Sequence, residues 1–322
     1  MKTNPSIIQF LRKFPSEKIC RQKFKEHRDR IGVICPKCRC KHHYWLSGSV
    51  QMYQCKCCGY RQSLKANTVM HHSRLSFRYW FIAIWLIANT KNAFSAAEIQ
   101  RQLGHRYYRP IFNMMHKIRS VMGQAEQNRI LRGEVEIDEC LITTKIRPDL
   151  TDKTWNNKSY KQKKPFSHTK TKCVVMCESF SHIQSKKEQQ KYKISKKCGN
   201  LKMVVIDTFT ADDISNAVVG SVDYESKVWS DATRTHRDFP DIFREYISGI
   251  IPKEDVCKIL PFVHITIGNL KAQLRNIHHS VDNKYLQFYI DEFVWKFNHR
   301  YSTDIFGDVL DTSVAFKFDW TL

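Results

Sequence analysis

The sequence predicts a chain of several modules: a small metal-stapled ribbon, an all-helical segment and a larger α/β domain. Three observations carry this reading. Two Cys-x2-Cys pairs stand close together near the start of the chain. An apolar helical run and a capped helix pair follow them. From Gly133 the pattern turns to short β-branched runs interspersed with helices. A length of 322 residues suits about two domains of ordinary size. Hydrophobic residues at 42% and aromatic residues at 12% are enough to bury real cores, which excludes a disordered chain.

Charge separates the modules. The formal net charge is +22, but residues 1–133 hold 25 Lys and Arg against 5 Asp and Glu, while residues 134–322 hold 28 against 26. A polyanion is the expected partner of the first part, because each neutralised phosphate releases counterions. Nucleic acid is favoured over membrane lipid, since the basic residues are interleaved with motifs of another kind. No apolar run reaches the ~20 residues of a membrane helix, and the longest, Trp80–Ala88, reads as a buried helix. The opening MKTNPSIIQFLRKF lacks the apolar stretch and cleavage site of a secretory signal. Twelve cysteines without an export signal point to metal ligands or free thiols. The expected compartment is the cytoplasm, at the nucleoid in a bacterium.

Along the chain, Ile7–Arg30 reads as a basic amphipathic helix or helix pair, with Pro15-Ser16-Glu17 starting its second half. Cys35 and Cys38 are followed, after sixteen residues, by Cys55 and Cys58. This fits the zinc pattern C-x2-C-x15–20-C-x2-C, in which each pair sets two thiolates on one side of a knuckle. Gly59 supplies permissive backbone after the second pair. Tyr44-Trp45 and Gln51–Gln54 read as short strands, completing a zinc ribbon. Cys40 and Cys57 are either alternative ligands or, as read here, ordinary free thiols. His42-His43 is a further ligand pair on paper, but four cysteines already saturate a structural zinc. A redox role for either pair is the rival, and two pairs at ribbon distance argue against it.

Ser76–Asn89 is apolar on most faces and must be well buried. Ser95 and Glu98 form a capping box for a helix to Leu103, which Gly104 stops. A second helix spans about Tyr107 to Met122, so the pair is a helix-turn-helix candidate. In such a unit the N-terminal residues of the second helix enter the major groove; here these are Arg106, Tyr107, Tyr108, Arg109 and Asn113. A helical linker bundle is the bland alternative.

Glu134–Cys140 alternates apolar and acidic residues. Lys172–Met176, Met203–Ile206 and Lys227–Trp229 are further strands, and Ala211–Gly220, His264–Ile277 and Asn283–His299 are helices. The order indicates an α/β domain with a mixed sheet. Thr151–Lys172 and Ser181–Gly199, polar and lysine-rich, read as exposed loops. Asp138 and Asp231 each follow or end a short strand, where two carboxylates far apart in sequence can share a hard cation. Strand-end acids more often cap helices or meet solvent, and Asp207 is a third of the kind, so periodicity alone does not select the pair.

Over nearly its whole length the chain resembles bacterial insertion-sequence transposases. The likeness rests on Cys35-Pro-Lys-Cys38 and Tyr53-Gln-Cys55-Lys-Cys-Cys58, then on Trp80-Phe-Ile-Ala-Ile, Lys91 and Ser95-Ala. It continues in Glu134-Val-Glu-Ile-Asp138-Glu139, Val228-Trp-Ser-Asp231, Leu260-Pro-Phe-Val-His264, Asn269-Leu-Lys271, His278-His279 and Tyr285–Asn298. The resemblance implies a basic helical segment over 1–30, a zinc ribbon over 31–72, a helix-turn-helix region over 73–132 and a ribonuclease H-like catalytic domain over 133–322. It implies Asp138 and Asp231 as the catalytic aspartates. Asn269 stands at the third, usually acidic position, with 37 residues between it and Asp231. Together the three would hold Mg2+ or Mn2+, two ions in all. Lys271 and His264, within two turns of Asn269, would include a contact to a scissile or neighbouring phosphate, or else serve helix packing. The implied partners are double-stranded DNA, as transposon ends and target, and further copies of the chain in a dimer or higher synaptic complex. The implied function is Mg-dependent strand cleavage and transfer. A non-catalytic DNA-binding regulator and a nuclease without strand transfer are the alternatives. Two features depart from the family: Cys140-Leu-Ile-Thr-Thr in place of a Gly-containing run, and the long lysine-rich insert from Ser181 to Asn200.

Overall fold

The structure, a computed structural model, describes residues 5–48, 51–146, 167–181, 196–249 and 259–316. The described residues fall into two compact units. One holds the chain up to Gln127 together with the residues from His299 on, and the other lies between Asn128 and Asn298. The sequence expectation ran the last domain over 133–322. The compact unit instead ends at Asn298.

The first unit starts with a helix pair. Helix α1 (Ile7–Lys13) is capped by Ser6, whose hydroxyl accepts from Gln9 N–H while the Gln9 side chain accepts from Ser6 N–H. Helix α2 (Glu17–Ile31) begins at Ser16, as the sequence indicated, and stops at Gly32, whose φ of 96° excludes most side chains. Strands β1 (His43–Leu46), β2 (Met52–Cys55) and β3 (Arg61–Ser63) form an antiparallel sheet in that order. Tyr53 fastens the sheet to α2, its buried hydroxyl donating to Asp29 at 2.6 Å.

Helix α3 (Phe77–Asn89) is the hub of this unit, with Trp80, Phe81, Ile84 and Ile87 fully buried. Its first amides are satisfied twice. Ser76 caps Tyr79, and the Glu17 carboxylate accepts from Phe77 and Arg78 N–H at 2.9 and 2.8 Å, placing negative charge where the helix dipole favours it. Helix α4 (Ala96–Leu103) ends on Gly104 at φ 61°, the left-handed cap expected from sequence, and α5 (Tyr108–Glu126) follows.

In the second unit, β4 (Glu134–Ile146), β5 (Ser167–Ser181), β6 (Lys196–Ile206), β7 (Lys227–Asp231) and β8 (Glu245–Gly249) form one mixed sheet ordered β6-β5-β4-β7-β8. The first three strands pair antiparallel, and β7 and β8 join in parallel. The two-residue period splits the strands between two cores. Cys173, Val175 and Cys177 pack under α8 (Pro261–Gln273) and α9 (Leu286–Asn298). Val174 and Met176 face the other way, onto Ile214 and Val218 of α6 (Ala211–Val218) and onto Phe239, which opens the short helix α7 (Phe239–Ile242). Both faces are covered, as parallel pairing requires.

Three strand expectations change. Strands β4 and β5 are longer than their apolar runs, because they pair in register from Glu134↔Ser179 to Ile146↔Ser167. Residues 167–172, Ser181 and 196–199, read as loop, are strand through this pairing and that of β5 with β6; the rest of the two expected loops lies outside the described residues. Strands β3 and β8 carry too few β-formers to be seen in the sequence. The last helix, α10 (Ile305–Ala315), belongs to the first unit. Its Phe306 ring lies 5.0, 5.5 and 5.3 Å from those of Phe10, Phe14 and Phe81, and its Asp311 pairs with His27 and Arg30 of α2. Burial of these rings is what ends the second unit at Asn298. No helix among the described residues is long and apolar enough to cross a membrane.

Candidate functional site

The parallel pairing of β4 with β7 brings the two expected aspartates together. The last paired residues are Glu136 and Trp229. Asp138 and Asp231 each stand two residues beyond that pair, level with one another where the strands part. With period-2 alternation, Glu136, Asp138 and Cys140 face α8. The Asp138 carboxyl is 17% exposed and accepts from Glu139 N–H at 2.8 Å. Burial raises its pKa to about 6, helped by the negative charges of Asp231 and Glu139. A buried carboxyl raised in this way beside a second carboxylate is a place where a cation lowers the energy.

Helix α8 is held over the strand by a residue that the sequence reading did not single out. Glu136 is buried, and its Oε2 accepts from Phe262 and Val263 N–H at 2.8 and 3.1 Å. This caps the first turn of α8 from inside the sheet. One position further on, His264 Nδ1 lies 3.6 Å from Asp138 Oδ2, and burial lowers the pKa of its imidazole. Burial also lifts Glu136 to about pH 7, against the two amides and Lys196. In the unfolded chain Glu136 ionises near its ordinary 4.5, so the folded state loses stability as pH rises from there through about 7. Glu136→Gln keeps an acceptor for the amides and removes this dependence. In urea unfolding of the metal-free protein, the wild type should lose up to about 3 kcal/mol between pH 5 and 8 relative to the variant. Parallel curves would refute the assignment.

Asp231 is organised by a second unexpected residue. His236 is buried, with Nδ1 3.3 Å from Asp231 Oδ1 and 2.9 Å from Ser230 Oγ, and Nε2 3.0 Å from Glu139 Oε1. Its ring stacks on Phe239 at 4.6 Å. Burial opposes its charge, but Asp231 and Glu139 outweigh that and raise its pKa to about 10. Asp231 is lowered in return, chiefly by the His236 hydrogen bond. Glu139, Asp231 and His236 thus form a tight group, each with a ligand atom within 4.8 Å of the others. A protonated imidazole already fills the cation position among them, so the group is an ion-paired brace for Asp231. No sequence signal marks His236. Glu136 had one: it is an acid at an inward position of an alternating strand.

On α8, positions 264, 268 and 271 share a face. The Cys140 thiol is held low first by Cys173 and, against burial, by the charge of Lys271, which puts Lys271 on the β4 side. Asn269 is exposed, about 100° round from Gly268. Among the described residues, no hydrogen bond or ion pair joins Asn269 or Lys271 to either aspartate.

In the first unit the four expected thiols converge. Cys35 and Cys58 Sγ are 3.6 Å apart, Cys38 and Cys55 Sγ 3.5 Å, and all four lie within 4.8 Å of one another. A tetrahedron of thiolates about 2.3 Å from zinc has edges of about 3.8 Å, so the group fits such an ion. The two knuckles are matched turns. Arg39 N–H donates to Cys35 O, Gly59 N–H to Cys55 O, and both residues have positive φ, 61° and 67°. The His43 ring lies against Tyr53 and Gln62.

At the start of α5, Arg106, Tyr107, Tyr108 and Arg109 are exposed, with Tyr107 at 60% and the Arg106 guanidinium over its ring. Asn113 differs. It is half-buried, lines a cavity of about 830 Å³ with His71, Arg74, Arg109 and Lys117, and its Oδ1 has no hydrogen-bond partner among the described residues.

Residues 130–298 match the family model of the ISXO2-like transposase domain. A protein of Halobacterium salinarum, described as an uncharacterized protein in transposable element ISH50, is 24% identical to the chain over 139 residues. That match covers 42% of this chain, and the chain spans only 46% of the relative's length.

Proposed function

The chain belongs to the family of the ISXO2-like transposase domain, and from that membership we propose that it is a DNA transposase acting on the ends of the element that encodes it. The observation that carries this reading is the β4–β7 pairing, which sets Asp138 and Asp231 level on one edge of a mixed sheet under α8. That sheet, three antiparallel strands followed by two parallel ones, supports a ribonuclease H-like domain.

Asp138 and Asp231 are the carboxylates that would hold Mg2+ or Mn2+, and the Asn269 amide oxygen on α8 would be a neutral third ligand. When bound, two such ions polarise the scissile phosphate and lower the pKa of an attacking water. The protein's own part is placement. His236 and Glu139 hold Asp231, and Glu136 pins the helix that carries His264 and Lys271 toward the phosphate. Water cleaves the transposon end, and the freed 3′-hydroxyl then attacks target DNA in line. Zinc on Cys35, Cys38, Cys55 and Cys58 staples the ribbon. The basic N-terminal part grips terminal repeats mostly through phosphates, with Arg106, Tyr107, Tyr108 and Arg109 reading bases in the major groove and Asn113 behind them. Two ends held together imply a dimer or larger synaptic complex, working on DNA in the cytoplasm.

The test is a strand-specific assay on DNA carrying the element's own ends, with Mg2+ or Mn2+. Metal-dependent cuts at the ends, followed by joining to a target plasmid, are expected. Cuts without joining would identify a nuclease instead. Tight binding without cuts, where a related enzyme cuts its own ends, would identify a regulator. A neutral third ligand also predicts weak metal binding. Asn269→Asp should lower the Mg2+ concentration for half-maximal cleavage roughly tenfold, and Asn269→Glu should act in the same direction. An unmoved midpoint in both variants would remove Asn269 from the site.

A further inference from the structure

The ribbon holds two more thiols than one zinc ion needs, and they are not scattered. Cys40, Cys55 and Cys57 form a second group whose sulfurs lie within 4.8 Å of one another, and Cys55 belongs to both groups. Backbone pairing sets this arrangement. Cys35 N–H donates to Cys40 O at 2.9 Å, and Lys56 N–H donates to His42 O at 3.0 Å, so the 40–42 segment runs alongside the second knuckle. His42 N–H also donates to Cys40 Sγ at 3.4 Å, which orients that sulfur. Cys57 is exposed and Cys40 half-buried, so this side of the knuckle is open to solvent.

We propose that Cys40, Cys55 and Cys57 form a second metal site for a soft d10 cation such as zinc, with the Cys55 thiolate bridging it to the first. The rationale rests on the reading of Cys35, Cys38, Cys55 and Cys58 as a zinc site. A thiolate has more than one lone pair, so one sulfur can serve two ions without a change in the first tetrahedron. Three sulfurs leave a fourth position on the solvent side for water or for the exposed His42 ring. The chemistry selects soft ions, because the converging ligand atoms are three sulfurs with no carboxylate oxygen in the group. Six thiolates with two divalent ions leave a charge of −2 on the cluster. Lys37, Arg39, Lys41, Lys56 and Arg61 surround it in sequence and offset that charge. Loading the second ion drives the protons of Cys40 and Cys57 into solvent.

The experiment is native mass spectrometry of the full chain, prepared reduced and equilibrated with excess zinc, beside Cys40→Ser and Cys57→Ser. The wild type should carry two ions, and each variant one. Cadmium substitution should give two cadmium-113 resonances in the wild type and one in each variant. One ion in wild type and variants alike would overturn the second site while leaving the first. No ion in any of them would overturn both readings. A wild-type mass lower by two hydrogens before reduction, with one ion bound throughout, would show that Cys40 and Cys57 pair as a disulfide and would overturn the proposal. Serine at the exposed position 57 leaves the first four thiols in place, so a folding defect of the Cys40 variant does not decide the outcome.

Discussion

Asparagine at position 138 or 231 should abolish metal-dependent end cleavage, by about 10³-fold or more, while leaving DNA binding within about twofold of wild type. The size follows from what is removed. Each substitution takes one of two charged ligands from a site whose proposed third ligand is neutral, and a single lost transition-state contact already costs about 3–4 kcal/mol. The two variants should differ in a second respect. Asp231 is tied to the protonated His236, which Glu139 also holds from its other side. Asp231→Asn leaves the buried imidazolium with one carboxylate, so this variant should also lose stability, by about 2–3 kcal/mol. Among the described residues Asp138 makes no ion pair with a buried cation, and the imidazole in contact with it is that of the part-exposed His264. Burial and repulsion hold its pKa up, so Asp138→Asn should be neutral or stabilising without metal. Strand-cleavage rates, with urea unfolding in chelator, separate these effects. Full cleavage by either variant would sink the assignment, and equal destabilisation would sink the brace.

Removing zinc should have the second large effect. The sheet of β1, β2 and β3 is small and depends on the two knuckles, one ahead of β1 and one between β2 and β3. Structural zinc contributes an apparent ~10–16 kcal/mol in small domains, far more than such a sheet can supply by packing. Chelation, or Cys35→Ser, should expose Lys41 and Lys56 to rapid tryptic cleavage while the sheet of the second unit stays folded. DNA affinity should fall with it, about tenfold or more, because the basic knuckles lose their fixed spacing. Protease resistance that survives chelation would mean the sheet stands without metal.

Local chemistry carried much of the architecture into view. Ser16, Ser95 and Gly104 mark helix ends in the sequence and mark them in the structure, because capping depends only on neighbouring backbone. The four ribbon cysteines were legible for the same reason: a knuckle is a short-range turn. Strands β3 and β8 were not, since three and five residues with few β-formers are strand only because a neighbour pairs with them. Asn113 was placed among the exposed helix residues by its spacing alone, yet it turns into a cavity.

The sequence by itself determined the helix caps, the cysteine pairs, the basic first part and the residue types available for chemistry, because composition, period and caps act over a few residues. Only the tertiary structure decided which of those residues meet. Parallel pairing across ninety residues sets Asp138 level with Asp231, Glu136 reaches from a strand to cap α8, and His236 is buried between two acids. Residues from His299 on leave the sheet to bury Phe306 among α1 and α3. Each of these rests on burial and pairing between distant segments, whose energies no local pattern encodes.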